Sequence, residues 1–248
     1  MGQLQSLLID HALFPAPEPS VTERSAPSPP FVREDGLGLL IHAPQRPQGG
    51  MLYLHCNGVD LGTMRRVLYE LSCRTGYLVL APEYPGYGTE AAQPVSATAA
   101  VQVAIKAYTA LHRRLPLNLP LVVLGRSIGS GLAAQVAVAR LPRPPTALVL
   151  VSAFRSVARA APVGLRWAVP RRLLSTEAAL LQVTAPTLLI HGALDEIIPF
   201  EHSEYLHATS PARLRELVRL RGAGHNDIDY DVLAQLVVRF VARARDLA

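Results

Sequence analysis

Short apolar runs alternate with segments of helical periodicity from about residue 37 to the end of the chain. Runs such as LVVLG (121–125) and ALVLVS (147–152) have the length and composition of buried strands. The segments between such runs repeat their apolar residues at helical spacing, as over 101–111. This alternation predicts an α/β fold, in which helices cover both faces of a mostly parallel sheet. Functional residues are then expected at the carboxyl ends of the strands.

The first 30 residues differ from the rest because they contain six prolines. Proline interrupts helices and central strands, so residues 1–30 are predicted to form an extended N-terminal arm or linker. Residues 31–248 are long enough to form one α/β domain. The arm begins with MGQLQS, which matches the pattern M-G-x-x-x-[ST] and predicts myristoylation of Gly2.

Composition and charge argue against several classes of function. The chain has two cysteines, Cys56 and Cys73, which are too few for a disulfide framework and fit a reducing compartment. No apolar run reaches the length of a membrane-spanning helix, and no secretory signal is predicted. The net charge is +5, yet no nucleic-acid motif accompanies the basic residues. We therefore expect a cytoplasmic protein that is weakly attracted to anionic membrane surfaces and binds no nucleic acid.

A G-x-S-x-G pattern runs from Gly125 to Gly129, between the strand 121–125 and a predicted helix. This arrangement raises the hydroxyl of Ser127 out of the backbone, and the two glycines leave room for the tight turn. The positive end of the following helix faces the charge that develops on a substrate carbonyl oxygen. A chance match is the alternative, but the flanking strand and helix favour Ser127 as a nucleophile.

A serine nucleophile of this kind is followed along the chain by an acid and then by a histidine. Asp195 lies in the loop after the strand TLLIHG (187–192), where a carboxylate can orient an imidazole. His225 follows this acid in a loop of small residues and is the predicted base. Glu196 is the alternative acid. If these residues are not catalytic, Asp195 is an ordinary turn aspartate and His225 is a surface-loop histidine.

Two backbone N–H groups are expected to bind the oxyanion. One belongs to Ile128, directly after the nucleophile, and the other to Asn57, in the loop HCNGVD (55–60) that follows an early strand. The alternative for this loop is a simple strand-to-helix connection. Cys56 is interpreted as a small buried residue, because no second histidine is placed to activate it. Neither metal-ligand spacing nor a phosphate loop occurs, so no metal and no organic cofactor is expected.

Five segments together resemble the α/β-hydrolase domain-containing protein 17 family. They are LHCNGVDLG (54–62), APEYPGYG (81–88), LGRSIGSG (124–131), LLIHGALDEIIPF (188–200) and GAGHNDI (222–228). The resemblance implies an α/β-hydrolase fold with Ser127, Asp195 and His225 as a catalytic triad. It also implies a membrane-anchored serine hydrolase that removes palmitate from cysteines of cytosolic-face proteins, so that S-acylated proteins or acyl esters would be its substrates.

Two departures from this family bear on the oxyanion loop and on membrane attachment. Cys56 stands where the family usually has glycine, which is expected to tighten or alter the oxyanion loop. The family's animal members are anchored through an N-terminal cysteine cluster, whereas no cysteine precedes Cys56 in this chain. The predicted myristoyl group on Gly2 would take the place of that anchor. One myristoyl chain binds membranes only marginally, so a second membrane contact is expected.

The stretch 155–174 is the predicted second contact and forms at most a small lid. It lies where hydrolases of this fold insert their lids, and it combines apolar residues with Arg155, Arg159, Arg166, Arg171 and Arg172. These arginines are expected to meet anionic lipid headgroups, which would hold the protein peripherally at the cytoplasmic face of a membrane. The alternative is a solvated basic face with an apolar side toward the core.

The predicted reaction is hydrolysis of an ester or thioester through an acyl-enzyme. Palmitoyl-protein thioesters are the leading substrates, on the resemblance alone. A general carboxylesterase or lipid esterase is the alternative, because fold and triad do not select an acyl chain. A hydrolase fold that acts as a scaffold without catalysis is the second alternative, and the altered loop at Cys56 is the one feature in its favour.

Overall fold

The computed structural model describes residues 14–20, 30–160, 169–170 and 173–247. Within these ranges the strands are β1 (Phe31–Glu34), β2 (Leu37–His42), β3 (Gly49–Leu54), β4 (Tyr77–Pro82), β5 (Leu121–Arg126), β6 (Ala147–Val151), β7 (Thr187–Gly192) and β8 (Arg215–Leu220). They form a single eight-stranded sheet with the spatial order β1-β2-β4-β3-β5-β6-β7-β8.

The sheet is mostly parallel, as the sequence predicts. β1 pairs with β2 and β2 with β4 in antiparallel register. The remaining pairs, from β4–β3 through to β7–β8, are all parallel. The carboxyl ends of β3, β5, β7 and β8 therefore lie along the same edge of the sheet, where the predicted functional residues follow them.

The described helices cover both faces of the sheet. They are α1 (Leu61–Thr75), α2 (Ala97–Arg113), α3 (Ile128–Val138), α4 (Val157–Ala160), α5 (Thr176–Leu180), α6 (Glu201–Thr209) and α7 (Tyr230–Arg245), with a short 3-10 helix at Gly88–Glu90. Apolar residues of α1 and α7 pack on one face of the sheet. Apolar residues of α2, α3, α5 and α6 pack on the other.

Strand β3 shows why this chain forms a sheet with two covered faces. Met51 and Tyr53 point into the layer beneath α1 and α7, whereas Leu52 and Leu54 point into the opposite layer. All four side chains are buried. Successive side chains of a strand alternate between faces, so a strand buried on both sides is apolar throughout.

Helix α1 begins and ends with the signals that its sequence carries. Asp60 is its N-cap, and Oδ1 accepts a hydrogen bond from the Thr63 N–H at 2.9 Å. Gly76 ends the helix with φ of 69°, in the left-handed region that favours glycine, and donates its N–H to Ser72 O. Asp60 therefore satisfies one of the free N–H groups at the start of this helix.

The N-terminal arm differs from an extended linker over residues 14–20. Phe14 is 1% exposed and belongs to the core cluster that includes Leu52 and Leu54. Its ring meets the ring of Tyr84 edge to face, with 6.5 Å between centroids. Ser20 donates its N–H to Asp60 Oδ2 at 2.6 Å. Prolines follow the aromatic residue at every second position, Pro15, Pro17 and Pro19, but the Phe14 side chain is part of the domain core.

Three further observations bear on the sequence predictions. The edge strand β1 and the short helices α4 and α5 were not predicted, because each is too brief to show a period. No helix in the described part of the chain is long and apolar enough to cross a membrane. Gly2 and the arginines 166, 171 and 172 lie outside the described residues, so their predicted roles remain predictions.

Candidate active site

The turn between β5 and α3 raises Ser127 out of the sheet. Ser127 has φ of 53° and ψ of −119°, a strained conformation for a residue with a side chain. The N–H of Ser127 donates to Val151 O on the neighbouring strand at 2.9 Å, which holds the turn in place. A Cβ at Gly125 would lie 2.1 Å from Gly129 O, and a Cβ at Gly129 would lie 2.1 Å from Leu54 O. Close packing therefore requires both glycines of the pattern.

The structure brings Ser127, His225 and Asp195 into one hydrogen-bonded series. His225 Nδ1 lies 2.8 Å from Asp195 Oδ2, and His225 Nε2 lies 3.1 Å from Ser127 Oγ. An ionised carboxylate only accepts, so Nδ1 carries the proton and Nε2 accepts from the serine hydroxyl. Asp195 follows β7 and His225 follows β8, at the edge of the sheet where β5 ends. The alternative acid, Glu196, is exposed.

Asp195 is held by more donors than His225 alone. Oδ1 accepts the N–H groups of Ile197 at 3.0 Å and Ile198 at 2.7 Å. His191 Nε2 lies 3.2 Å from Oδ2. Burial alone would raise the pKa of Asp195, but the hydrogen bonds from His191, His225 and the Ile198 N–H outweigh it and hold the pKa well below its usual range. Asp195 is therefore ionised throughout the neutral range.

His191 is a part of the site that the sequence did not reveal. Its side chain is fully buried, with Nδ1 2.7 Å from Ser203 Oγ and Nε2 2.8 Å from Ile198 O. A carbonyl oxygen only accepts, so Nε2 carries the proton, points it toward Ile198 O and Asp195 Oδ2, and Nδ1 accepts from Ser203. The only signal in the sequence was a histidine at a strand end four residues before the acid.

The predicted oxyanion residues lie where the end of β3 meets the start of α3. Asn57 follows β3, and its Oδ1 accepts from the Tyr87 hydroxyl at 3.2 Å. Ile128 is the first residue of α3, so its N–H has no partner further back within the helix. The tight fit of Gly129 against Leu54 O brings the start of α3 directly against the end of β3. The donor roles of the Asn57 and Ile128 N–H groups remain predictions.

A buried polar cluster supports the loop that carries Asn57. His55 stacks on the Tyr84 ring with 3.9 Å between centroids, and the Tyr84 hydroxyl donates to His55 O at 3.1 Å. His55 Nδ1 donates to Cys56 O at 2.9 Å. Its Nε2 faces Glu83 Oε1 at 3.7 Å. Cys56 is buried beside this cluster. The loop is therefore supported by two side chains, Glu83 and Tyr84, of the connection that follows β4.

Burial keeps His55 and Glu83 uncharged near neutral pH. Both side chains are fully removed from solvent. Burial lowers the pKa of His55 to about 4. Burial raises the pKa of Glu83 to about 8, although the Leu61 N–H, 3.2 Å from Oε2, favours its ionised form. A protonated Glu83 and a neutral His55 present a hydrogen and a lone pair to each other, which matches the orientation set by the bond to Cys56 O.

Two arginines of the predicted membrane contact have partners within the protein. Arg155 Nε lies 2.7 Å from Glu177 Oε2, and its guanidinium lies 3.4 Å from the centroid of the Tyr205 ring. Arg159 Nε lies 3.3 Å from Glu177 Oε1. One carboxylate thus offsets part of the positive charge of this stretch.

Among the described residues, no group of three or more His, Cys, Asp or Glu side chains could hold a metal ion.

Comparison with curated proteins gives related chains. Human alpha/beta hydrolase domain-containing protein 17C is 30% identical over 210 residues, which is 79% of this chain and 59% of that protein. The Xenopus laevis protein of the same name is 31% identical over 192 residues, 72% of this chain and 56% of that protein. An uncharacterized protein of Mycobacterium tuberculosis is 34% identical over 202 residues, 77% of this chain and 70% of that protein. The chain spans little more than half the length of the named relatives.

Comparison with solved structures gives chains of similar fold. TT1662 from Thermus thermophilus has a TM-score of 0.69 at 20% identity, over 86% of this chain and 97% of that chain. Mouse alpha/beta hydrolase domain-containing protein 10 has a TM-score of 0.60 at 17% identity, over 87% and 97% respectively. No protein-family model matches. The predicted fold and the resemblance drawn from the five segments are confirmed: the chain has the α/β-hydrolase fold and is similar to the alpha/beta hydrolase domain-containing protein 17C sequences.

Proposed function

We propose that the chain is a serine hydrolase that cleaves acyl esters or thioesters through an acyl-enzyme. The observation that carries this proposal is the series Asp195–His225–Ser127, with 2.8 Å and 3.1 Å between the bonded atoms. The strained backbone of Ser127 adds to it, because such strain is typical of a nucleophile held at a sharp strand-to-helix turn. Its relatives and structural neighbours include α/β hydrolases, which supports the same class of reaction.

The proposed reaction has two halves. His225 Nε2 takes the proton of Ser127 as Oγ attacks the acyl carbon, and the N–H groups of Ile128 and Asn57 stabilise the oxyanion. The C–O or C–S bond then breaks, and His225 returns its proton to the leaving alcohol or thiol. In the second half water attacks the acyl-enzyme while His225 accepts its proton. The bond between the acyl carbon and Ser127 Oγ then breaks, His225 returns the proton to Oγ, and the carboxylic acid is released. Asp195 remains ionised and stabilises the imidazolium in each half.

The proposed substrates are palmitoyl thioesters on protein cysteines, met at the cytoplasmic face of a membrane. The five motif segments and the relation to the domain-containing protein 17 group support this choice. A myristoyl group on Gly2 and the arginines of 155–174 would supply peripheral membrane contact. A general carboxylesterase or lipid esterase uses the same triad, and solved structures with this fold include lipolytic enzymes. The acyl chain must therefore be decided by measurement.

Labelling with a fluorophosphonate probe tests the nucleophile. We expect the wild-type protein to be labelled, Ser127→Ala to be unlabelled, and the matched control Ser72→Ala, a buried serine in α1, to label like wild type. All three proteins are first compared by thermal unfolding, so that loss of label is not loss of fold. A folded wild-type protein that takes no label contradicts the proposal and favours the scaffold.

A series of acyl substrates tests the substrate class. Palmitoylated cysteinyl peptides are compared with octanoyl and acetyl thioesters of the same peptide, and with soluble short-chain esters. We expect the largest kcat/KM for the palmitoyl thioester. A much larger kcat/KM for the short soluble esters would instead identify a general carboxylesterase.

Flotation with anionic vesicles tests the membrane contact. We expect the myristoylated protein to float, Gly2→Ala to stay in solution, and replacement of Arg166, Arg171 and Arg172 by glutamine to weaken flotation of the myristoylated protein. Unchanged flotation of the triple variant contradicts the contact proposed for this stretch.

A further inference from the structure

Arg126 is a buried cation immediately below the proposed nucleophile. It is the last residue of β5, directly precedes Ser127, and is 7% exposed. No carboxylate forms an ion pair with it among the described residues. A guanidinium loses its hydration on burial and is retained without a counter-ion only where other acceptors replace the water. The acceptors that Arg126 uses therefore indicate what it does.

The acceptors of Arg126 all belong to the loop of the proposed base and the helix that follows it. Nη2 donates to His225 O at 2.7 Å and to Asn226 Oδ1 at 3.1 Å. Nη1 lies 3.3 Å from the Tyr230 hydroxyl, in the first turn of α7. The guanidinium thus joins the nucleophile turn to a segment about one hundred residues further along the chain.

The bond to His225 O constrains the residue whose ring must meet two partners. The base loop runs from the end of β8 to the start of α7, and Asn226 and Asp227 in it are exposed. The ring of His225 must keep Nδ1 on Asp195 and Nε2 on Ser127 at the same time. Fixing the carbonyl of the same residue removes freedom that an exposed loop otherwise has. The planar fork of arginine reaches both its acceptor groups, which a lysine or glutamine cannot do.

We propose that Arg126 is a positioning residue that fixes the His225 loop against the nucleophile turn, so that Nε2 stays within reach of Ser127 Oγ. Arg126 acts through the backbone of His225 and not on the substrate. This inference rests on the proposed function for its effect on rate, and on the structure alone for its effect on the position of His225.

The test compares Arg126→Lys and Arg126→Gln with wild type and with Arg143→Gln. Arg143 is the matched control, because it is half-buried and also donates from Nη2 to a backbone carbonyl, that of Leu119, away from the site. We expect kcat for a short-chain ester to fall about 10- to 100-fold in both Arg126 variants with KM changed less than about threefold, since a displacement near 1 Å can cost that much. Arg143→Gln is expected to match wild type in both.

A second readout follows His225 itself. The hydrogen-bonded Nδ1 proton of His225 is observed by proton NMR, assigned by its loss in His225→Gln. We expect the signal to broaden or vanish in Arg126→Gln and to persist in Arg143→Gln. Asn226→Ala, which alters an exposed side chain and leaves the fold intact, is expected to lower kcat by about threefold, because one of the bonds to Nη2 is lost.

The outcomes separate this inference from the proposed function. If Arg126→Gln unfolds, Arg126→Lys and Asn226→Ala decide. Folded Arg126 variants that keep both the wild-type kcat and the Nδ1 signal overturn the positioning role. Two results can also occur together: wild type takes no fluorophosphonate label, and the Nδ1 signal of His225 is lost in Arg126→Gln. The first result refutes the proposed hydrolase, and the second supports the positioning of His225 by Arg126.

Discussion

Glu83→Gln is expected to become more stable relative to wild type as the pH rises, because wild type alone loses stability with pH. Residue Glu83 is 1% exposed, and burial raises the pKa of its carboxyl from 4.5 to about 8. The folded state therefore holds this proton more tightly than the unfolded chain does. The contribution of Glu83 to the stability of the folded protein is therefore greatest below pH 4.5 and is lost as the pH rises toward the folded pKa.

The size of the effect follows from the two pKa values. A tenfold change in proton affinity corresponds to about 1.4 kcal/mol. The pKa of Glu83 is 4.5 in the unfolded chain and about 8 in the folded protein. Raising the pH between these two values therefore lowers the stability of wild type by on the order of 4 kcal/mol. Glutamine keeps the shape of the protonated acid and its acceptor for the Leu61 N–H, but it has no proton to lose. The free energy of unfolding of the variant, relative to that of wild type, should therefore increase by about that amount as the pH rises.

Urea unfolding at pH 5.5, 6.5, 7.5 and 8.5 measures this difference. His55 carries an opposite contribution at low pH because burial lowers its pKa to about 4, but it is present in both proteins and cancels in their difference. Glu204→Gln, at an exposed position of α6, is the matched control and should run parallel to wild type. If Glu83→Gln also runs parallel to wild type, Glu83 is ionised in the folded protein and the argument from its burial is wrong.

Three further substitutions have defined outcomes. Gly129→Ala places a Cβ 2.1 Å from Leu54 O, so we expect fluorophosphonate labelling to be lost and the thermal midpoint to fall; unchanged labelling would contradict the close packing. Phe14→Ala empties a core position and should lower the free energy of unfolding by about 3–5 kcal/mol in urea, whereas a free arm would give no change. Asp195→Asn should lower kcat by about 10⁴-fold with fold retained, and a tenfold loss or less would argue against its role as the acid.

The sequence predicted the parts of the fold that local pattern controls. Strand β7 was predicted with its observed bounds, because it is an apolar run between turn residues. The serine turn was predicted because its glycines, strand and helix are adjacent in sequence. Edge strand β1 (Phe31–Glu34) escaped prediction because it is four residues long and partly exposed, so its stability comes from pairing with β2. Phe14 escaped because its partner Tyr84 lies far along the chain.

The order of residues along the chain predicted the triad, but contacts across loops could not be predicted. Asp195 and His225 were found by chain order and by position after a strand, which depend on topology alone. The contact of His191 with Asp195 depends on how the loop folds back, with the Ile197 and Ile198 N–H groups on Oδ1. The contact of Arg126 with His225 O depends on the loop before α7. A single sequence has no local signal for either.

The three loops of the site are each fixed by a buried polar side chain that does not touch the reacting atoms. His191 bonds to Asp195, Arg126 bonds to the His225 backbone, and His55 orients the Cys56 carbonyl beside Asn57. Each of these side chains lies at or just beyond the carboxyl end of a strand and is therefore held by the sheet. Buried polar groups cost free energy unless they are paired, and an apolar replacement would fill the same space more cheaply. Their presence at all three loops is explained if the geometry of the loops, and not the stability of the fold, is what they supply.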